Sequence, residues 1–580
     1  MTSLTHAQRV TGPSKRPSWI RRRWSTVLTL AVLLIVLFGY VIGPMIATAR
    51  RSVSQDKAAV LGFSFKAWGD FFANPAQTSA IGGSILVSVL SVICAGVLGT
   101  AVAILLTRWE FPGRRILQVL AMLPIALPPL MGVWSFKLLF GVGGRIPFAM
   151  QEWFGLDQKM FWLQGMAGVL IVHAMTMYPY FYLTVSAALV NADASLEEAA
   201  ASMGAGKARI WMRVILPMLT PALVAGSLIT FMSAMSSYTA PLLFQYTDVM
   251  TQQIVIAKTN GDMRLASIIS TTLAIISIAF LAIIRSYEQR KVYRTQSKGG
   301  GRKRSTLTST PAKIVLLVIS IPVTVFLVLP IIMIAVLSVT AKGGWLMSVL
   351  PTGWTLEWWA RMFTGFDFWR PVTNSLLMSV IAVGGAILLG AGAAYVMSRM
   401  KFRGKLALDI AVMLPWALPG TVVAINLITA FSSPSPFAFG NVLVGTFAIL
   451  PLAYFVRFNP LIFRSTFASL SQLDPNLEDA ARSLGATWWY SFRKVVLPLI
   501  SRGIMAGALL AFVDGVGEFV ASVLIYTPDW VPLSIAVNNE NYQGNIGIGS
   551  VYGMIQVFLV LIVLAVTNRM GARNGAPAAL

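Results

Sequence analysis

Charge is what this sequence has least of. Of 580 residues, 45 are Lys or Arg and 21 are Asp or Glu, so charged residues make up 11% of the chain, against roughly 25% in a soluble domain. A chain of this length folded in water needs far more charged surface, which excludes most soluble folds. Cysteine is nearly absent. Cys94, alone in an apolar run, excludes an intramolecular disulfide or thiolate cluster, and His6 and His173 are too few for a histidine-based metal site. Missing too is any Gly-x-x-x-x-Gly-Lys-Ser/Thr loop: Gly204-Ala205-Gly206-Lys207 lacks the loop length and the hydroxyl that cradle phosphates and magnesium.

What is present is apolar surface. Hydrophobic residues are 56% of the chain, and runs such as 25–47, 268–284 and 314–338 approach or exceed the roughly 20 residues that about 30 Å of hydrocarbon asks of a helix. Twelve spans are expected, at about 25–47, 79–106, 116–140, 163–190, 217–244, 265–285, 314–339, 373–398, 407–431, 440–466, 498–526 and 548–567. Pro124, Pro128 and Pro129 in the third and Pro415 and Pro419 in the ninth mark expected kinks. The fold class is an all-α polytopic membrane protein.

The formal net charge of +24 would suggest nucleic acid in a soluble chain. Here the cations sit between apolar runs, where they set topology and meet anionic lipid, so no nucleic-acid partner is expected. Arg108, Arg114 and Arg115, Lys207 to Arg213, Arg399 to Lys405, Arg482 to Lys494 and Arg569 to Arg573 all fall on the side of the basic N-terminus. The positive-inside rule makes that side cytoplasmic and puts both termini there. The expected organisation is a basic tail (1–24), a first half (25–285), a basic Gly-containing linker (286–313), a second half (314–567) and a short tail (568–580). The first apolar run is too long for a signal peptide and is expected to be retained as a helix.

The halves repeat. Arg108-Trp-Glu-Phe-Pro-Gly-Arg aligns with Arg399-Met-Lys-Phe-Arg-Gly-Lys, and Met122-Leu-Pro-Ile-Ala-Leu-Pro with Met413-Leu-Pro-Trp-Ala-Leu-Pro, both 291 positions apart. Further on, Leu196-Glu-Glu-Ala-Ala-Ala-Ser-Met-Gly-Ala aligns with Leu477-Glu-Asp-Ala-Ala-Arg-Ser-Leu-Gly-Ala, and Leu216-Pro217 with Leu497-Pro498, 281 apart. Equivalent spans lie six apart, and an even number preserves orientation. The repeat is therefore parallel, with a pseudo-two-fold axis along the membrane normal.

Two loops, at 191–217 and 470–498, hold the most informative residues. Acidic residues suit a helix N-terminus, alanines allow close packing, and Gly204 and Gly485 permit a reversal into a second helix that re-enters at Leu-Pro. These are helix-turn-helix elements, one per half, large enough to touch a two-fold partner; the plainer alternative is a pair of amphipathic connectors lying on lipid.

Glu-Ala-Ala, with Gly six residues after the Glu and Leu-Pro beyond, resembles the motif of permease subunits in binding-protein-dependent ABC importers, and the fused, duplicated chain is similar to the iron(III)-type branch. The resemblance implies a type I importer permease fold, with the first and seventh spans added at the periphery of two five-helix cores. It implies that both loops dock on two copies of a separate ATPase subunit, which hydrolyses ATP that this chain does not. It also implies an extracytoplasmic substrate-binding protein and a bacterial inner-membrane location. The motif maps to Glu198, Ala199, Ala200, Gly204 and Pro217, and to Asp479, Ala480, Ala481, Gly485 and Pro498. Asp479 departs from it by a shorter acidic arm. No cofactor is implied.

Ionisable residues inside spans call for a partner or a wet cavity. Asp514 and Glu518, four apart, are expected on one helical face, aligned with Ser233 and Ser237, beside which lie Ser236 and Tyr238. Arg457 is the expected counter-ion of Asp514. Together they outline a translocation pathway, with a buried ion pair between two helices as the equal alternative. His173 reads as a hydrogen-bonded interior residue, and the 26 Met residues as membrane packing. Iron(III) is the expected substrate; 2-aminoethylphosphonate, thiamine or a polyamine would suit the same architecture. A secondary transporter of six plus six spans is the competing class. The Gly and Asp that its loop signature needs before Arg108–Arg115 are absent, and no nucleophile, base or metal constellation supports a membrane enzyme.

Overall fold

A computed structural model of the chain describes residues 29–55, 62–190, 194–290, 305–306, 309–345, 348–400, 402–474 and 476–572. The expected N-terminal tail, residues 573–580 of the C-terminal one and most of the linker lie outside these residues. Sixteen helices organise the fold, and each of the first eight has its repeat partner eight places on. They are α1 (Thr29–Ser52), α2 (Pro75–Thr107), α3 (Arg114–Met122), α4 (Pro129–Phe140), α5 (Gly165–Val190), α6 (Ala194–Ser202), α7 (Lys207–Met235) and α8 (Met263–Arg290). Their counterparts are α9 (Thr310–Leu337), α10 (Asp367–Arg399), α11 (Lys405–Ala417), α12 (Gly420–Phe431), α13 (Ile449–Gln472), α14 (Asn476–Ser483), α15 (Trp488–Val516) and α16 (Ile546–Ala572). Among the described residues the only strands are Trp109–Glu110 and Ser305–Thr306, which pair in parallel.

Nine described helices are long and apolar enough to cross a membrane, or eleven if each of two bent pairs is one span. The remaining expected place belongs to α13, which begins at Ile449, not 440. Arg457, Asn459 and Arg464 make it too polar to qualify by composition. It is tolerated because much of its surface, Tyr454, Asn459, Ile462 and Phe463 included, is buried in protein.

The two kinks are full breaks. The helices on either side of Leu127-Pro128 meet at 103°, and those beside Leu418-Pro419 at 109°. Proline drives the residue before it out of the helical region, and Leu127 and Leu418 are indeed extended, with ψ of 119° and 133°. A second backbone device also recurs. The turn before Pro217 and Pro498 widens to π-helix over Trp211–Ile215 and Phe492–Val496. Each proline lacks an N–H and crowds the carbonyl four residues back, which the wider turn relieves.

α2 crosses α5 closely, as α10 crosses α13. A Cβ at Gly99 would meet the carbonyl of Tyr178, and one at Gly390 would meet Asn459 at the equivalent place. Small residues at such crossings let backbones approach, which is how helices gain packing where lipid offers no hydrophobic drive.

The expected peripheral helices flank the opposite half. α1 packs along α12, with Tyr40 stacked on Phe431 at 6.1 Å and its hydroxyl donating to the Phe437 carbonyl at 2.8 Å. α9 packs on α3 and α4 of the first half, with Phe326 edge-on to Phe140 at 6.3 Å. One large core therefore mixes α1 and α8 with the second half, and the other mixes α9 and α16 with the first. Neither half has a core of its own.

Candidate functional site

The helix-turn-helix elements form at one end of the bundle. Each of α6 and α14 is a short helix closed by a left-handed glycine, Gly204 at φ 79° and Gly485 at φ 89°. A Cβ is strained at such φ, so this reversal selects glycine. Glu198 and Ala199 are exposed, as are Asp479 and Ala480; Ala200 is buried and Ala481 half-buried. Pro217 and Pro498 are exposed at the base of the re-entering helices. Beyond the motif, Met203 is 81% and Leu484 91% exposed immediately before the two glycines. An apolar knob thus stands at the same place in each half, exposed among the described residues.

The residue before each motif acid behaves differently. Glu197 accepts from Arg108 at 2.9 Å, and Glu478 from Arg399 at 2.8 Å. Arg108 and Arg399 stand at the ends of α2 and α10, so this end of the bundle is tied to both motif helices. In the sequence these residues mark topology and repetition and are not candidates for pairing, although a signal is there: Arg108 aligns with Arg399, and Glu197 with Glu478, all unchanged between the halves.

The polar residues of the inner spans gather where the halves meet. Tyr238 and Phe519, which are repeat equivalents, stack with ring centroids 6.2 Å apart and planes inclined by 25°. Neighbouring contacts repeat in the same way. The Ser84 hydroxyl accepts from Met250 N–H at 2.8 Å and that of Ser375 from Leu533 N–H at 2.7 Å. Thr251 donates to the Ser237 carbonyl at 2.8 Å, and Ser534 to the Glu518 carbonyl at 2.6 Å.

Two expectations need correction here. The spans expected at 217–244 and 498–526 stop at Met235 and Val516, so Ser236, Ser237, Tyr238 and Glu518 lie in breaks beyond the helix ends. Glu518 consequently leaves the face that carries Asp514. Its side chain accepts from Ala521 N–H at 2.7 Å, which holds the break by filling an orphan donor of the next short turn. Arg457 is also not the direct partner of Asp514: it pairs with Glu518 at 2.5 Å. Tyr454, on the same helix, bonds Ser522 at 2.8 Å. These contacts make Glu518 a buried staple, 5% exposed.

Asp514 remains on the helix and is exposed, within electrostatic reach of Arg457, Glu518 and Tyr180. Tyr180 lies near both Ser233 and Asp514, so α5 and α7 of the first half face α15 of the second around this carboxylate. Ser233, Ser236 and Ser237 are half-buried, while Tyr238 and Phe519 are 3% and 2% exposed. His173 is interior, bonded to Ser91 at 2.7 Å and Ser237 at 2.9 Å.

Comparison with known proteins agrees with the duplication. Residues 95–291 and 386–573 each match the family described as binding-protein-dependent transport system inner membrane component. A probable ABC transporter permease protein of Sinorhizobium fredii is 26% identical over 88% of this chain and 90% of its own length. A ferric transport system permease protein of Actinobacillus pleuropneumoniae is 25% identical over 83% of this chain and 70% of its own. A solved bacterial ABC transporter that imports the acidic polysaccharide alginate is 18% identical over 47% of this chain and all of the matched one, with a TM-score of 0.36.

Proposed function

We propose, since the chain belongs to the family of binding-protein-dependent transport system inner membrane components, that it forms the whole passage of an ATP-driven importer, both halves in one polypeptide. The motif end faces the cytoplasm, as the concentration of Lys and Arg there supports. Two copies of an ATPase subunit dock on it, one on α6 and one on α14. The observation that carries this reading is the matched pair of exposed faces, Glu198 with Met203 and Asp479 with Leu484. A pseudo-two-fold face suits two copies of one partner. A binding protein delivers substrate at the opposite end, and Asp514, Ser233, Ser236, Ser237 and Tyr180 line the way through.

Iron(III) is the substrate this passage suits best. Relatives named for ferric transport, each matching 83% of this chain, support it, and the side-chain groups around Asp514 are hard oxygen donors of the kind a small, highly charged cation prefers. A relative of Salmonella typhimurium named for 2-aminoethylphosphonate transport, 29% identical over 43% of this chain, favours that zwitterion as the second reading, with Arg457 beside the passage for its phosphonate.

The test is radiolabelled iron(III) uptake by cells carrying the Glu198→Ala, Asp479→Ala double variant with its ATPase and binding protein. Uptake is expected to fall to background and ATPase copurification to weaken, with membrane insertion intact. Full uptake would sink the docking assignment, and uptake of 2-aminoethylphosphonate but not iron by the unmodified complex would move the substrate to the second reading.

A further inference from the structure

Each motif helix is joined covalently to two spans. α6 leads from α5 into α7, and α14 from α13 into α15. Two attachments leave a short rod free to turn about the line that joins them, so a push on it need not reach any other span. The ion pairs supply a third point. Arg108 holds Glu197 at 2.9 Å with side chains 15% and 13% exposed, and Arg399 holds Glu478 at 2.8 Å with 12% and 7%. Each Arg stands at the end of a different span from the two already attached, α2 in one half and α10 in the other.

The surroundings reinforce both pairs. The Arg108 guanidinium lies 4.7 Å from the centroid of the Trp211 ring, on the re-entering helix. Arg399 also donates to the Leu473 carbonyl at 3.1 Å, while Glu478 accepts from the Tyr395 hydroxyl at 3.2 Å, and that hydroxyl accepts from the Trp488 indole at 3.0 Å. Arg482 approaches Glu478 at 3.8 Å and Asp479 at 3.9 Å. Mostly buried pairs of this kind are costly to break, because removing one partner leaves an uncompensated charge, where exposed pairs contribute little.

We propose that Arg108–Glu197 and Arg399–Glu478 are mechanical latches: positioning residues that make α2 and α10 move with the motif helices, so that a displacement imposed at the docking face reaches the helices packed around Asp514. The path onward is direct, because α2 packs along α5, which carries Tyr180, and α10 packs along α13, which carries Arg457. The inference rests on the importer reading. It assigns distinct work to adjacent acids: Glu198 and Asp479 face the motor, and Glu197 and Glu478 face the passage.

The complete complex, permease with its ATPase, is placed in inverted membrane vesicles with Cys94→Ser and a reporter Ser233→Cys. Labelling of the reporter by a membrane-impermeant maleimide is measured with and without ATP. In the otherwise unmodified complex ATP is expected to change the labelling rate. Arg108→Glu and Glu197→Arg, each alone, are expected to reduce that ATP response by about tenfold, within the range of known coupling free energies, while ATP hydrolysis and ATPase copurification stay near the unmodified level. The double reversal is expected to restore the response, which loss of a merely stabilising contact would not require. A normal ATP response in both single variants would overturn the latch. So would loss of the bound ATPase in either, which makes the pair a docking element, or a double reversal that restores nothing. If the unmodified complex shows no ATP response at all while ATPase is bound, the importer reading itself falls.

Discussion

The rings of Tyr238 and Phe519 stack on each other although the two residues occupy equivalent positions of the repeat, with centroids 6.2 Å apart. A residue can touch its own equivalent only where the symmetry axis passes, so this contact marks the pseudo-two-fold axis. Both rings are buried, while Asp514, five positions before Phe519, is exposed. Buried aromatic surface on the axis beside an exposed carboxylate is the arrangement expected of a closure.

Shortening the closure should open it. With Cys94→Ser and Asp514→Cys as reporter, Tyr238→Ala and Phe519→Ala together are expected to raise maleimide labelling from the extracytoplasmic face severalfold. Unchanged labelling would mean that the rings do not seal the passage.

Glu518 should behave as a structural acid. Arg457→Met leaves Glu518 buried without its cation, and breaking such a pair typically costs about 3–5 kcal/mol. Thermal unfolding of the detergent-purified protein is expected to show a larger loss for Arg457→Met alone than for Arg457→Met combined with Glu518→Gln, since the second change removes the uncompensated charge. A double variant no more stable than the single would refute the staple.

The exposed knobs Met203 and Leu484 are expected to seat in the partner. Met203 and Leu484 are 81% and 91% exposed among the described residues, so Met203→Asp and Leu484→Asp should leave the thermal midpoint where it is. ATPase copurification should fall about tenfold for each, because a charge forced into an apolar socket is costly.

Gly99 and Gly390 are expected to tolerate no larger residue. Gly99→Val pushes its branched side chain into the Tyr178 backbone, and overpacking of this kind typically costs about 1–3 kcal/mol. The readout is a lowered thermal midpoint, and Gly82→Val, with nothing within 4 Å of its Cβ, serves as the control that should not shift.

Much of the architecture was legible in the order of residues. Apolar run length located most of the spans because hydrocarbon thickness sets a minimum, and α13 shows where that rule stops, since a helix surrounded by protein needs no apolar exterior. Gly204 and Gly485, Pro217 and Pro498, and the Leu-Pro breaks were readable because glycine and proline restrict backbone torsions locally. The severity of the breaks was not, because a bend of 103° or 109° depends on what each piece packs against.

Side-chain partnership was legible least. Spacing alone put Asp514 and Glu518 on one face, and only the helix end at Val516 separated them. Arg457 had two acids within reach; it pairs with Glu518, whose other carboxylate oxygen accepts from Ala521 N–H beyond the helix end.

By itself, then, the sequence determined that this chain lies in a membrane, that it is doubled in parallel, and where its two motif helices turn, because each follows from local rules of hydrophobic length, repetition and backbone torsion. Tertiary structure alone decided that α1 and α9 pack on the opposite halves, that Glu518 is a buried staple while Asp514 is left exposed, and that Tyr238 meets Phe519 at the axis. Those are contacts between residues tens to hundreds of positions apart, and their partners are chosen by the packing of the whole bundle.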